Sequence, residues 1–415
     1  MLDFPNSPSV GQVFTSGNSS WLWDGTKWVA AGSSGAGSIY LPLTGGTLTG
    51  PLTVQGALVA GGAGGTLDNT VIGGNTPAAA SFTSINGGQL AGNRNRIING
   101  DMRFDLRHSG AVVVCNTNAT FYITDRFAVS LGSTSYNFSA QQAAYAAYPG
   151  NASYALAAAN QAVYTPAAAD YSCLLHRIEG ANIADLNWGT GAARPVRLSF
   201  WAYSSLGGQH SGALTNADGS LSYPFSYTLV AATWTYVVIA IPGPTTGTWK
   251  VDNSIGIQIT WDLGSGTTLR KTAGSWQAVN AIGVTGSVNV CGTASATLYI
   301  TAVQFEAGII ATPFEWRDYG SEFLRCQRYY AFPIAGHGLG LATAVNQYLS
   351  TTLNFPVSMR SANPTVTWLG NYVAPTNCGN PTVDTATALG ARAWVQSTAT
   401  GTMAFSSYFS ASAEL

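Results

Sequence analysis

Charged side chains are scarce in this chain. Only 8% of its 415 residues are Asp, Glu, Lys or Arg, whereas about 25% is usual for a soluble protein. The formal net charge is −1, and no stripe of Lys and Arg marks the surface expected of a protein that binds duplex DNA or an anionic membrane. The sequence therefore argues against nucleic acid as a partner.

The chain also lacks long apolar runs. No uninterrupted apolar stretch approaches the roughly 20 residues that a membrane helix needs. The first ten residues, MLDFPNSPSV, have neither the basic start nor the apolar core of a Sec signal. We expect no membrane insertion, synthesis in a cytoplasm, and a route to the outside that does not use the Sec pathway.

Cysteine pairs and clustered metal ligands are missing too. The cysteines are odd in number, include no CxxC motif and are too widely separated for a small disulfide scaffold. We expect mostly free, partly buried thiols at Cys115, Cys173, Cys291, Cys326 and Cys378. The histidines lack the spacing of zinc ligands. They stand at His108, His176, His210 and His337. Neither a metal nor another cofactor is predicted.

Glycine, aromatic residues and uncharged polar residues take the place of charge. The chain contains 48 glycines, and 11% of its residues are aromatic, a composition that favours an all-β protein rich in turns. The composition shifts near residues 37, 92 and 318. We predict an N-terminal hairpin in 1–37, a shaft in 38–92, a β-sandwich in 93–318, and a β-rich head with one short helix in 319–415.

The segment SWLWDGTKWVAAG predicts a hairpin. Asp24 and Gly25 stand between two aromatic-rich runs, and glycine supplies the positive φ that a tight turn needs. Trp21, Trp23 and Trp28 would then cluster across the strands. A small aromatic core is the favoured interpretation, and a ligand platform is the alternative.

The stretch YLPLTGGTLTGPLTV, residues 40–54, cannot form a stable core alone. One copy buries too little apolar surface to offset a backbone ordering cost of about 1 to 2 kcal/mol per residue. If three copies run side by side, their apolar side chains can meet on a shared axis. The residues that would pack there are Leu41, Leu43, Leu48, Leu52, Val54, Val71, Ile72 and Phe82.

These motifs resemble the N-terminal and shaft segments of tailed-bacteriophage tail fibre proteins. The resemblance covers SWLWDGTKWVAAG, YLPLTGGTLTGPLTV and LDNTVIGGNTPAAASFTSI. In that family, such segments form slender homotrimers whose N-terminal end is fixed to the virion and whose distal end meets the host. The resemblance implies an elongated homotrimeric fibre of the virion, assembled in the host cytoplasm, with baseplate or neck proteins as partners.

Period-two alternation predicts strands between residues 93 and 318. In SIGIQITWDL, apolar residues at 255, 257, 259 and 261 alternate with polar or small ones. In RPVRLSFWAYSS, Val196, Leu198 and Phe200 share one face. If that face is core, Trp201 and Tyr203 point outward. Short strands with frequent turns indicate a two-sheet jelly roll.

The runs LSFWAYSS, TWTYVVIAIPG and YITAVQFEAG resemble a jelly roll of the carbohydrate-binding-module type. The segments NRNRIINGDMRFDLRHSG and FYITDRFAV are similar to a domain that follows the shaft in phage fibres and virion-associated proteins. The first resemblance makes Trp201 and Tyr203 candidates for stacking on a sugar face. The alternative, that these rings pack against another sheet or a neighbouring subunit, stays open.

The segment ATPFEWRDYGSEFLRCQRYYAF predicts a short helix. Ser321 with Glu322 marks its start, and Phe323, Gln327 and Tyr330 would share one side. The rest of the chain has the pattern of strands and turns. The succession from this helix to FPVSMRSANPTVTW and the closing AEL resembles the C-terminal region of phage tail fibres, which implies a distal trimeric tip.

Carboxylates that could serve a glycosidase are few. Glutamates occur only at Glu179, Glu306, Glu315, Glu322 and Glu414. Glu306 and Glu315 lie in motifs at a domain junction, where pairing with Arg317 or capping is the favoured role. Asp125 and Arg126 predict a buried or junctional ion pair. No G-x-S-x-G, P-loop or H-E-x-x-H motif occurs, so no catalytic residue is predicted.

These observations predict a protein that attaches the virion to the host bacterial surface, with a polysaccharide or another envelope receptor as partner. One alternative is a structural virion component, such as a collar, neck or baseplate fibre without host binding. A less favoured alternative is a fibre that degrades glycan. Further receptor contacts are expected on loop tips of the head, for example in residues 372–380.

Overall fold

The computed structural model describes residues 3–17, 19–31, 94–144 and 151–415. The chain forms two compact units, residues 1–80 and 81–415. The predicted shaft contacts lie outside the described residues. They are those of Leu41, Leu43, Leu48, Leu52, Val54, Val71, Ile72 and Phe82. The shaft therefore stays a prediction.

The described part of the first unit is a small antiparallel sheet. Its strands are β1 (Val13–Ser16), β2 (Ser19–Trp23) and β3 (Trp28–Ala31), in that order. The predicted hairpin is confirmed, with Gly25 at a φ of +104°. Its loop has four residues because Trp23 pairs with Trp28. Trp23 contacts Trp28 at 5.5 Å between ring centroids, and Phe4 contacts both Trp21 and Trp28, so the three tryptophans form the predicted aromatic cluster around Phe4.

The second unit begins with a β-sandwich. Its strands are β4 (Val113–Cys115), β5 (Thr120–Thr124), β6 (Phe127–Leu131), β7 (Phe138–Ala144), β8 (Tyr154–Asn160), β9 (Tyr171–Glu179), β10 (Val196–Ser204), β11 (Gly208–Thr215), β12 (Ser222–Leu229), β13 (Thr235–Ile241), β14 (Ile255–Ser265), β15 (Arg270–Lys271), β16 (Gly283–Val284) and β17 (Thr297–Ala307). Short 3₁₀ turns cover Gly180–Asn182, Ala184–Leu186, Thr267–Leu269 and Val290–Gly292.

Two antiparallel sheets of six described strands each form the sandwich. The front sheet has the order β13-β10-β17-β8-β7-β4, and the back sheet has the order β12-β11-β14-β9-β6-β5. Strands β15 and β16 form a short parallel pair beside them. Apart from the pairs β5-β6, β7-β8 and β11-β12, neighbours in each sheet are not consecutive in sequence, which is the pattern of a jelly roll. The predicted all-β fold class with a jelly-roll sandwich is confirmed.

The core lies between the two sheets. Ile257, Ile259 and Trp261 of β14 are fully buried, as their alternation predicts. Phe200 of β10 meets Trp261 edge to face at 5.6 Å, so the front and back sheets interlock through large rings. A bulge follows Ile255, which is only half-buried.

The head follows the sandwich. Its elements are α1 (Tyr319–Gln327), β18 (Tyr330–Ala342), β19 (Tyr348–Asn354), β20 (Thr365–Thr376), β21 (Thr382–Ala386), β22 (Gly390–Gln396) and β23 (Gly401–Ser412). In the described residues they make two three-stranded sheets, β18-β23-β20 and β19-β22-β21. A side chain at Gly336 of β18 would lie 2.7 Å from both Leu353 and Phe409. Glycine at this position therefore lets the two sheets approach.

Three details of the head differ from the sequence prediction. The helix begins at Tyr319, because the Asp318 carboxylate accepts a hydrogen bond from the Ser321 amide at 2.8 Å and caps it. This bond also holds the pKa of Asp318 below its usual value. Tyr330 belongs to β18 and not to the helix, and residues 372–376 belong to β20 and not to a loop.

Candidate functional site

Trp201 and Tyr203 lie on the outer face of the front sheet, opposite the buried Leu198 and Phe200. Strand pairing places aromatic neighbours beside them. Trp201 pairs with Tyr236 of β13, and Tyr203 pairs with Tyr299 of β17. With Trp234, which precedes β13, they form a row that we call the aromatic ridge: Trp201, Tyr203, Trp234, Tyr236 and Tyr299.

The rings of the aromatic ridge form a contacting pair, Trp201 with Tyr236, and a contacting trio, Tyr203 with Trp234 and Tyr299. The centroid of Trp201 lies 5.3 Å from that of Tyr236, and the centroid of Tyr203 lies 5.6 Å from Trp234 and 5.4 Å from Tyr299. These spacings are typical of favourable aromatic pairs. Burial, and to a smaller degree the nearby Tyr203, raises the pKa of Tyr299. The ridge is therefore a preorganised strip of rings, and Tyr236 is 44% exposed at its edge.

A shallow trough continues the same face beyond Tyr299. Tyr299 pairs with Ala157 of β8, and Ala157 pairs with Gln141 of β7. Small side chains on β8 keep the floor below the level of the Tyr299 ring. The trough has a volume of about 220 Å³. Its lining residues are Val112, Ser139, Ala140, Gln141, Ala157, Ala159 and Tyr299. Enclosing sites for small molecules usually have about 300 Å³ or more, so this surface suits part of an extended chain.

The other half of the front sheet is covered. The Glu306 carboxylate accepts hydrogen bonds from the amide and hydroxyl of Thr312 at 2.8 and 2.7 Å. Gln304 accepts a hydrogen bond from the Glu315 amide at 2.7 Å. These bonds hold residues 312–315 over this half of the sheet. Among the described residues, the ridge and the trough remain partly exposed on the other half, where Ala152 and Ala155 pack against Trp234 and Tyr299.

Each glutamate is bound within the protein. Glu306 was predicted to pair with Arg317 or to serve as a cap, but it binds Thr312, as described above. Glu315 does approach Arg317, at 3.4 Å. The other partners are Arg328 and Tyr329 for Glu179, Arg317 for Glu322, and Arg107 and Arg126 for Glu414. None of the five belongs to the ridge or lines the trough.

Asp125 and Arg126 are buried, as predicted, but they do not pair with each other. Asp125 contacts Arg107 at 3.2 Å, whereas Arg126 binds Glu414. The Arg126 guanidinium also lies 3.6 Å from the ring centroid of Tyr329. The Arg126–Glu414 pair connects the sandwich with the end of the head, whereas the Arg107–Asp125 pair lies within the sandwich and reaches the head through the contact of Arg107 with Glu414. The buried, junctional position is confirmed, and the predicted pairing of Asp125 with Arg126 is wrong.

Buried thiols and histidines add no metal site to the described residues. All five cysteines are free and buried, which agrees with the prediction of free thiols. Burial lowers the pKa of His176 and of His210. Within residues 3–17, 19–31, 94–144 and 151–415, no group of three or more His, Cys, Asp or Glu side chains is arranged to hold a metal ion. Over the same ranges, no helix has the length and apolar character to cross a membrane.

Three residues of the ridge were missed by the sequence prediction: Trp234, Tyr236 and Tyr299. The alternation in TWTYVV places Trp234 and Tyr236 on one face of a strand, but it does not say which strand lies beside it. Tyr299 in ATLYITAV has the same ambiguity. Only the pairing of β13, β10 and β17 brings these rings to Trp201 and Tyr203.

No protein-family model and no curated protein matches the sequence. Among solved structures, the chain is similar to the enzymatically active domain of tailspike protein 4 of bacteriophage CBA120, with 10% identity, a TM-score of 0.26, and 51% of this chain and 21% of that chain covered. It is similar to the CBM22-1-GH10 modules of Clostridium thermocellum xylanase 10B, with 10% identity, a TM-score of 0.24, and coverage of 47% and 28%. It is also similar to a family 11 carbohydrate-binding module of Clostridium thermocellum, with 12% identity, a TM-score of 0.24, and coverage of 48% and 98%. The chain thus spans less than a third of the first two proteins, and these TM-scores are too low to carry an argument about function.

Proposed function

We propose that this chain is a receptor-binding fibre of a tailed bacteriophage and that its sandwich binds polysaccharide on the host surface. The sequence resemblance of the N-terminal, shaft and C-terminal motifs supports the assignment as a fibre protein. The aromatic ridge is the observation that supports polysaccharide as the ligand. Its rings are preorganised, partly exposed and continuous with an open trough.

The chemistry of the ridge suits a sugar chain. The C–H face of a pyranose ring is apolar and packs on an aromatic ring, while tyrosine hydroxyls and amides can meet its hydroxyl groups. Ser139 and Gln141 supply such polar groups in the trough. Neither the ridge nor the trough lining contains a charged residue, so binding requires no desolvation of an ion.

Trimerisation would make weak sites effective. Sites fixed on one trimer, and several trimers on one particle, can raise avidity by about 10² to 10⁴ without new contacts. The outer face of β18-β23-β20 supports self-association, since it exposes several large apolar side chains. They are Leu339, Leu341, Leu369 and Val373. Clusters of this kind mark interaction surfaces more often than scattered apolar residues do.

Binding of the full chain to immobilised capsular and O-chain polysaccharides from a panel of bacteria tests the proposal. We expect binding to some of them, and a loss of at least tenfold in affinity for a Trp201→Ala/Tyr203→Ala variant. The control is Val251→Ala/Val279→Ala, at two exposed positions of the sandwich outside the ridge and the trough lining, which is expected to change affinity less than twofold. Equal affinity of the Trp201→Ala/Tyr203→Ala variant and the control variant would contradict the assignment of the ridge as the sugar-binding site.

The same incubation separates the two alternatives. A structural collar, neck or baseplate component binds none of the polysaccharides. A glycan-degrading fibre leaves shortened chains, which size-exclusion chromatography detects. Under the proposal, the polysaccharide is bound and keeps its length.

A further inference from the structure

The outer face of the head sheet β19-β22-β21 is polar and carries two aromatic rings. Trp394 of β22 pairs with Ser350 of β19, and Arg392 pairs with Thr352. The alternate residues of these strands, such as Leu353 and Val395, are fully buried in the head. Because side chains alternate along a strand, the polar set is the one left facing outward.

Two adjacent concavities lie on this face. One has a volume of about 580 Å³, and the other has about 500 Å³. Ser350 and Arg392 line the first, whereas Trp394 and Gln396 line the second. Since Arg392, Trp394 and Gln396 follow one another on the outer side of β22, the two concavities lie next to each other along this face. We call the two together the head cleft.

Uncharged hydroxyl and amide groups dominate the head cleft. Its further lining includes Thr352, Asn354, Thr385, Asn346, Asn380 and Thr382. Arg392 is the charged side chain among the lining residues, and its Nε lies 3.0 Å from Oδ1 of Asp384. Arg392 in turn holds the pKa of Asp384 below its usual value. The pair neutralises itself, so the cleft offers no unpaired charge to a ligand.

An aromatic pair stands beside the second concavity, which Trp394 lines, and Tyr348 pairs with Gln396 of the same lining. Tyr348 is 68% exposed and meets Trp394 edge to face, with 5.1 Å between ring centroids and 72° between ring planes. Rings exposed in this way offer apolar faces on which a ligand can stack. The perpendicular arrangement presents two ring faces in different directions, which a bent, ring-containing polymer can cover.

We propose that the head cleft is a second glycan site, which binds a neutral, hydroxyl-rich polysaccharide segment by stacking on Tyr348 and Trp394. A neutral ligand is favoured because Arg392 is already paired with Asp384 and offers no free positive charge to an acidic polymer. The proposal shares the ligand class with the proposed function but uses none of its residues. A chain with a ridge on the sandwich and a cleft on the head therefore contacts its receptor at two places.

The test uses the full chain and separates the two sites. The starting variant is Trp201→Ala/Tyr203→Ala, in which the ridge is removed. Its binding to an array of neutral and acidic bacterial polysaccharides is compared before and after adding Tyr348→Ala, alone and with Trp394→Phe. We expect the ridge variant to retain binding to neutral polymers and the added substitutions to reduce it at least tenfold. Added Val251→Ala/Val279→Ala, at exposed positions of the sandwich, is the control and is expected to leave it unchanged.

Each result has a distinct meaning. If the ridge variant binds as tightly as the wild type and the cleft substitutions abolish binding, the head cleft is a glycan site and the aromatic ridge is not. If the ridge variant binds nothing that the wild type binds, or if Tyr348→Ala has no effect on what remains, the cleft proposal is overturned. A fall in the sedimentation mass of the Tyr348→Ala variant would also overturn it, since the face would then be a contact between copies of this chain. Unchanged melting temperatures verify that the variants are folded.

Discussion

Arg328 and Glu179 form an ion pair between the head and the sandwich, with 2.6 Å between Nη2 and Oε1. Glu179 ends β9 of the back sheet, and Arg328 follows directly after α1. The neighbouring Tyr329 donates its hydroxyl to the same carboxylate at 2.5 Å. A buried carboxylate shared by two head residues ties the two parts into one compact unit, and it leads to the first prediction.

Replacing Glu179 with glutamine should loosen this junction. The variant keeps the shape but loses the charge that Arg328 and Tyr329 bind, and we expect a loss of about 1 to 3 kcal/mol in the free energy of unfolding. Urea denaturation measures it. The control is Asp384→Asn in the exposed pair with Arg392, which should leave stability unchanged. Equal stability of both variants would contradict a stabilising role for Glu179.

Asp125 should make stability depend on pH. Burial is the main cause that raises its pKa from 3.8 to about 7, although Arg107 acts in the opposite direction and Glu414 adds to the increase. Below the unfolded pKa, both states hold the proton and the contribution is fully present. It is lost as pH rises toward 7, because the unfolded chain releases the proton first.

The measurement compares the wild type with Asp125→Asn at pH 5 and pH 8. The stability of the wild type relative to the variant should fall by about 2 kcal/mol over this range, since one pKa unit corresponds to about 1.4 kcal/mol. Groups that titrate elsewhere affect both proteins equally. A difference that does not change with pH would show that Asp125 is ionised throughout.

The five thiols should be unreactive in the folded protein. Burial raises the pKa of Cys115 and of Cys291 to about 12, and the thiolate is the reactive form. Ellman's reagent at pH 8 should label the native chain slowly, with Cys378 first because it keeps 8% of its surface exposed. Five thiols should react after unfolding without a reducing agent. A lower number would reveal a disulfide.

The sandwich core could be predicted from sequence because each strand carries its own period-two pattern. Val196, Leu198 and Phe200 are all fully buried, as the alternation in RPVRLSFW indicates. The ridge could be predicted only in part, because its rings come from strands that are distant in sequence and whose register is set by tertiary pairing. A bulge between Ser199 and Trp201 is a further local shift that the pattern does not show.

The contacts between the sandwich and the head were harder to predict for a related reason. Asp125 and Arg126 are neighbours with opposite charge, so sequence alone favours a mutual pair. Arg126 has a φ of +71° in the turn between β5 and β6, where the chain reverses direction. The two side chains consequently meet different partners, Arg107 and Glu414, and the second of these is 288 residues away from Arg126.

The proposed fibre should be a trimer. Sedimentation equilibrium of the full chain is expected to give a mass three times the 43.1 kDa of one chain. Leu339→Lys/Leu341→Lys on the apolar face of the head should weaken the trimer, because lysines would be buried without partners. Val163→Lys, at an exposed position of the sandwich, is the control. A monomer at micromolar concentration would contradict the fibre.

The central claim, that the aromatic ridge holds a sugar chain, is tested most directly by saturation-transfer NMR on the full chain with a polysaccharide fragment that it binds. With the tyrosine and tryptophan rings irradiated, ring protons of the sugar should receive strong transfer in the wild type. The transfer should largely disappear when Trp201 and Tyr203 are replaced in a protein that also carries Tyr348→Ala/Trp394→Phe. Transfer of equal strength in a ridge-intact and a ridge-deleted protein, both with the cleft substitutions, would contradict the claim.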